Sequence, residues 1–161
     1  MKPRSSTIDA PGIRDLLSYR LHVVANLLSR GAELRYRRQF GVSLWEWRTV
    51  ALLGAADEGL SLGHLAHAAG IDKSQMSRVV SGLAKRRIVL RAAHPGDGRG
   101  VRLTLSKNGE KLYEGLIRAA AQRDEAFRNC LTRDERQAFD RVLTKLAGQA
   151  RELIQNEKAH K

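Results

Sequence analysis

Lys73, Ser74, Gln75, Ser77 and Arg78 crowd hydrogen-bond donors into one short stretch of the sequence. Glutamine can pair bidentately with adenine, arginine with guanine, and serine with either a base edge or a phosphate. Lys73 and Ser77 suit phosphates by their chemistry. Each residue keeps a structural alternative, because first-turn Ser and Gln also cap helices and Arg78 can lie over an aromatic ring. A second group, Pro95-Gly96-Asp97-Gly98-Arg99-Gly100, is glycine-rich enough to reverse the chain tightly. Arg99 at such a tip can enter the minor groove, where narrow A·T-rich DNA concentrates negative potential. Asp97 would repel phosphate unless it pairs with Arg99 and aims it; the alternative is an ordinary turn-forming aspartate. A nucleotide-cradling loop needs a strand before it and a helix after it, and here a strand pattern follows, so that reading is rejected. The chemistry left is recognition of duplex DNA.

Presenting these groups requires particular elements around them. Leu62, Leu65, Ala66 and Ala69 recur at helical spacing and stop at Gly70. A second helix begins near Asp72 with Met76, Val79, Val80 and Leu83 as its apolar side, which leaves the donors on the other. The pattern then alternates through Val89, Leu90 and Ala92, and again through Val101, Leu103 and Leu105. Helix, turn, helix and hairpin is the layout of a winged helix-turn-helix, which places its second helix in the major groove. The expected fold is mainly α with a small β-hairpin wing.

Charge agrees with this assignment. The 161 residues hold 29 Lys and Arg against 17 Asp and Glu, a formal charge of +12 that attracts polyanions, nucleic acid first and anionic membrane second. Lys73, Arg78, Lys85, Arg86, Arg87, Arg91, Arg99, Arg102 and Lys107 face only Asp72 and Asp97 between positions 72 and 107. The excess therefore gathers on the helix and hairpin already nominated. A single cysteine, Cys130, excludes an internal disulfide and suits a reducing cytosol. The first residues, MKPRSSTIDAPG, lack an apolar export core, and no apolar run is long enough to span a bilayer. The expectation is a cytoplasmic protein with no membrane partner. No cofactor motif, Ser-His-Asp arrangement or metal-hydrolase spacing suggests an enzyme. His64 and His67 stand three residues apart, but no third ligand lies nearby in sequence, so no metal site is assigned.

Helices frame this central region. Pro11 suits a first helical turn, and apolar positions from Ile13 to Tyr36 predict a long amphipathic helix ending before Gly41, with Gly31 inside it. Ser43 and Glu46 form a capping box that opens a helix to about Ala56, and Ser61 caps the next after a short strand at Leu60. Ser106 to Gly109 starts another helix through Phe127, and Thr132 with Glu135 caps a last one. That helix carries an apolar stripe, Phe139, Val142, Leu143, Leu146, Ala150, Leu153 and Ile154. Long end helices with stripes that need cover point to subunit pairing and two-fold reading of two half-sites; the alternative is that one monomer satisfies all the stripes.

The segment Asp97-Gly98-Arg99-Gly100-Val101-Arg102-Leu103-Thr104-Leu105-Ser106-Lys107-Asn108-Gly109 resembles the D-x-R-x-x-x-L-x-L-T-x-x-G signature of the MarR family of bacterial transcriptional regulators, with Ser106 in place of Thr. IDKSQMSRVVSGLAKRRIV resembles that family's recognition helix, with Arg87 where a glycine is common, and LWEWRTVALL resembles its second helix. The resemblance covers nearly the whole chain. It implies an intertwined homodimer through the N- and C-terminal helices, built as one integrated domain. Within it, residues 1–41 form the tail and dimerisation helix, 42–106 the winged helix-turn-helix lobe and 107–161 the C-terminal dimerisation helices. It further implies a pseudo-palindromic double-stranded operator and a repressor released by a small molecule. Lys73, Ser74, Gln75, Ser77, Arg78, Asp97 and Arg99 would meet the DNA. Many members bind aromatic or phenolic acids between the dimer helices and the DNA-binding lobe. Tyr19, Arg20, His22, Val23, Trp45, Trp47 and Arg48 are the matching candidates for a small aromatic acid effector. A basic residue can hold the carboxylate while indole walls stack on the ring. The alternative is that the tryptophans pack and Arg20 pairs across the dimer. Arg128 and Arg133 flank Cys130, as a redox sensor would need, but peroxide-sensing relatives carry that cysteine in the first helix, which has none here. A basic protein coating DNA without sequence preference is the alternative function.

Overall fold

A computed structural model describes residues 12–94 and 97–160, with the side chains of residues 93–100 outside that description. Ile13–Asp15 makes one 3-10 turn, and Leu16 is extended with ψ 129°, so the first long helix, α1, runs Leu17–Phe40. That start is later than the apolar period suggested, since Ile13 precedes the break; Pro11 lies outside the described residues. The remaining helices are α2 (Leu44–Gly54), α3 (Leu62–Ala69), α4 (Lys73–Lys85), α5 (Lys107–Asn129) and α6 (Arg133–Ala159). The strands are β1 (Leu60–Ser61), β2 (Val89–His94) and β3 (Asp97–Leu105), antiparallel in the order β1-β3-β2. The protein is thus mostly helical with a small three-stranded sheet.

The chain forms two compact units, dividing between Leu116 and Ile117 within α5. In the first, the inner faces of α2, α3 and α4 meet. Val50 and Leu53, Leu65 and Ala66, and Met76, Val80 and Leu83 are all buried there, joined by Tyr36, Val42, Val89, Leu103 and Leu116. Each large apolar side chain removed from water in this way contributes about 1.5–3 kcal/mol. Caps fix where the helices begin: Ser43 and Glu46 close a reciprocal capping box on α2, and Ser61 Oγ accepts from His64 N–H on α3. Ser106 Oγ accepts from Gly109 N–H at 3.1 Å as α5 starts. Gly109 is where α5 crosses the α4–β2 turn so closely that an added Cβ would strike the Ile88 carbonyl.

The second unit comprises the C-terminal part of α5 and α6. Thr132 and Glu135 form the second capping box, at the start of α6. None of the described residues of α6 is buried, and Phe139, Val142, Leu143, Leu153 and Ile154 lie open along it. No described helix is long and apolar enough to cross a membrane.

Candidate nucleic-acid interface

The turn between α3 and α4 aims the donor-rich helix. Gly70 ends α3 in the left-handed region at φ 71°, where a side chain would be strained. Two residues later Asp72 caps α4, its carboxylate accepting from Gln75 N–H at 2.8 Å. Met76, Val80 and Leu83 are essentially inaccessible, so this stripe holds α4 against the core and turns its opposite side outward. Lys73, Ser74 and Arg78 are exposed there, and none of their side chains has a hydrogen-bond or ion-pair partner among the described residues. Gln75 and Ser77 flank Met76 and are half-buried, so they stand at the edge of this surface. Arg78 makes no ring contact among the described residues; the cation-π pairs there are Arg48 over Trp45 and Arg123 over Phe127.

Beside α4 stands the hairpin. Val89 pairs with Leu105 and Ala93 with Val101, but His94 pairs with Asp97. The turn expected over Pro95 to Gly100 is therefore shorter, because Asp97 to Gly100 belong to β3. Gly98, Arg99 and Gly100 fall between partners of successive β2 residues, so the surplus length is absorbed as a ladder irregularity. Pro95 and Gly96, and the side chains of Asp97 and Arg99, lie outside the described residues. Two contacts that sequence reading missed hold the hairpin in place. Arg91 Nη2 donates to Ser81 Oγ of α4 at 3.0 Å, and Arg102 Nη2 lies 3.2 Å from Glu58 Oε2.

The effector candidates divide into two places. Trp47 and Arg48 line a cavity of about 280 Å³ between α2 and α3, completed by Ala51, Leu52, Ala68 and Ala69. Trp47 also packs on Tyr36, with ring centroids 4.9 Å apart. Arg48 lies 4.8 Å over Trp45 and its Nη2 donates to Ser29 Oγ at 3.4 Å. Tyr19, Arg20, His22 and Val23 are exposed on α1, with His22 hydrogen-bonded to Asn26, and none of them lines this cavity. Their nearest member precedes Ser29 by roughly 9 Å of helix at ~1.5 Å per residue.

Cys130 is exposed, its Sγ donating to the Phe127 carbonyl at 3.0 Å. The neighbouring Arg128 is engaged by Asp124, whose carboxylate accepts its Nε–H at 2.6 Å and so raises the guanidinium pKa further. Among the described residues no three His, Cys, Asp or Glu side chains gather as a metal site.

A capped helix-turn-helix with a β-hairpin beside its second helix defines a winged helix-turn-helix protein. A family model for the MarR family matches residues 40–100, from the end of α1 into β3. The HTH-type transcriptional regulator FarR of Neisseria gonorrhoeae is 30% identical over 109 residues, spanning 68% of this chain and 74% of that protein. The chain belongs to the MarR family of transcriptional regulators. Among solved structures, a MarR/EmrR family transcriptional regulator from Acinetobacter sp. ADP1 superposes with a TM-score of 0.80 at 24% identity, covering 88% of this chain and 99% of that one. A MarR family regulator from Silicibacter pomeroyi DSS-3 gives 0.75 at 25% identity, with the same coverages. MepR of S. aureus, in its complex with DNA, gives 0.76 at 20% identity, over 83% of this chain and 98% of that one.

Proposed function

We propose that this protein binds a pseudo-palindromic operator as a homodimer, represses transcription there, and is released by a small aromatic carboxylate or phenolic ligand. The observation that carries the reading is the outward face of α4. A helix whose inner stripe is fully buried presents Lys73, Ser74 and Arg78 unpartnered beside Gln75 and Ser77. Arg78 and Gln75 read base edges, Lys73 and Ser77 hold phosphates, and Arg99, oriented by Asp97, enters the adjacent minor groove. The exposed apolar side chains of α1 and α6 become covered when two copies pair.

The effector reading rests on the α2–α3 cavity. An indole wall, one guanidinium and an apolar floor suit a single-ring acid, and the volume lies just below the usual range for ligand pockets. Tyr19, Arg20, His22 and Val23 join that site only in the assembled dimer. Ligand acts by favouring a dimer whose recognition helices no longer match the half-site spacing.

Fluorescence anisotropy of DNA from upstream of the protein's own gene, against scrambled DNA at two salt concentrations, tests this function. Binding to the upstream DNA tighter by ~1000-fold or more is expected. Equal, salt-labile binding to both would replace a specific regulator with a DNA-coating protein, the reading that the +12 charge also favours.

A further inference from the structure

We propose that Glu46 is a positioning residue for α4, acting through Arg86 to fix the angle at which the recognition helix meets DNA. The inference rests on the reading that α4 contacts DNA. Both carboxylate oxygens of Glu46 are engaged. Oε2 accepts from Ser43 N–H at 2.8 Å, closing the capping box of α2, and Oε1 accepts from Arg86 Nη1 at 3.0 Å. Arg86 is the C-cap residue of α4, so the first turn of α2 is tied to the last turn of the recognition helix.

Two other ion pairs behave differently, while Arg102–Glu58 ties β3 to the loop before β1 and leaves α4 untouched. Glu33–Arg37 and Asp124–Arg128 lie one turn apart on a single helix and join nothing to anything else. The Glu46–Arg86 pair spans two helices, and the Glu46 side chain is only 19% exposed. An exposed ion pair is weakened by solvent and salt screening and by the entropy of holding two long side chains together. At Glu46 the capping box has already fixed one of them, so more of the bond's strength remains to hold α4.

A second contact between the same helices lies near the other end of α4. Thr49 Oγ1 donates to Met76 Sδ at 3.5 Å, and both residues are completely buried. Met76 and Arg86 are about 15 Å apart along a helix rising ~1.5 Å per residue. The buried stripe of Met76, Val80 and Leu83 seats the inner face of α4, and these two polar attachments add a fixed bearing near each end. Without the one at Arg86 the last turn loosens and the helix can tilt slightly on its apolar seat. Recognition tolerates only about 10–20° of misdirection before contacts are lost, so a small pivot moves Arg78 off its base. Trp47 and Arg48, on the cavity wall, follow Glu46 directly in the same turn. A ligand that shifts this turn therefore acts on the attachment as well.

The test compares wild type, Glu46→Gln, Arg86→Gln and the double variant. Glutamine at position 46 can still accept from Ser43 N–H, so the capping box survives while the charge facing Arg86 is gone. Each single variant should bind operator DNA roughly 5- to 10-fold more weakly, and the double variant no more weakly than the worse single one. Affinity for scrambled DNA and the slope of binding against salt should stay unchanged, because no phosphate contact is removed. Hydrogen exchange of the backbone amides from Ala84 to Ile88 should quicken in both single variants. Unaltered operator affinity and exchange in Glu46→Gln would overturn the proposal. So would a salt slope reduced by about one in Arg86→Gln with Glu46→Gln silent, since that marks Arg86 as a phosphate contact. If wild type itself fails to discriminate operator from scrambled DNA, the regulatory reading falls. The exchange data then decide the attachment alone: faster exchange supports it and unchanged exchange refutes it.

Discussion

Arg87 holds φ 55°, the one described non-glycine residue in the left-handed region. It follows the C-cap of α4, where its N–H donates to the Ala84 carbonyl at 2.9 Å and the Ile88 N–H donates to Leu83 at 2.9 Å. That pair of bonds is the Schellman closure, a position where glycine is favoured because a Cβ crowds the following carbonyl. The Ser106 hydroxyl donates to the Arg87 carbonyl at 2.6 Å and helps to hold the strained backbone. Arg87→Gly should therefore stabilise the chain. Relief of about 1–2 kcal/mol of left-handed strain exceeds the roughly 0.5–1 kcal/mol of extra entropy that glycine loses on folding. Urea unfolding should show a higher midpoint at unchanged slope; a lower midpoint would mean that the arginine side chain makes contacts worth more than the strain. The family resemblance marks this position by the absent glycine, so the departure was legible in sequence. Its cost was not, because sequence does not reveal which residue enters the left-handed region.

Helix ends are the elements that local sequence specifies best. Ser43 with Glu46 and Thr132 with Glu135 are reciprocal pairs three residues apart, and both form as capping boxes. The turn from α3 to α4 and the start of α5 follow from similarly local signals. Boundaries that depend on a distant partner were not readable. The extension of β3 back to Asp97 is set by its pairing with His94, and Glu46–Arg86 joins positions far apart in the chain. The cavity was partly legible: Trp47 and Arg48 announce themselves, whereas Ala51, Leu52, Ala68 and Ala69 carry no chemical signal until α2 meets α3. The cap on α6 also makes this element sensitive to pH. Thr132 N–H donates to Glu135 at 2.8 Å, and its hydroxyl donates to the same oxygen at 2.9 Å; the backbone bond first and the hydroxyl second hold the carboxyl below the ordinary glutamate value of 4.5. A folded pKa lower than the unfolded one stabilises the fold above the unfolded value, and the gain is lost as pH falls through the folded one. Glu135→Gln keeps the box without titrating. The excess melting temperature of wild type over this variant should hold steady from neutral pH to near 5, then shrink as pH falls further. A gap that stayed constant down to pH 3 would show that Glu135 contributes no charge-dependent stability.

At the scale of the whole molecule, apolar exposure and positive charge make opposing demands. Leu27 and Leu34 on α1 are 66% and 64% exposed, and Leu153 and Ile154 on α6 are 56% and 54% exposed. Large apolar side chains left this open along two long helices are what a partner surface would cover. Yet a net charge of +12 opposes association of like chains, so pairing needs a favourable apolar contribution to offset it. The proposed homodimer, closed through these helices, would meet both conditions by covering their apolar side chains. Leu143→Glu with Leu153→Glu tests this pairing at two side chains that are already open, at 41% and 56%. Sedimentation should report a dimer for wild type and a monomer for the double variant, with helical circular dichroism alike in the two. Operator affinity should fall steeply in the variant, since one copy reads one half-site and loses the gain in effective concentration that linking two provides. A wild-type chain that sediments as a monomer at micromolar concentration, or a double variant that remains dimeric, would place the pairing surface elsewhere.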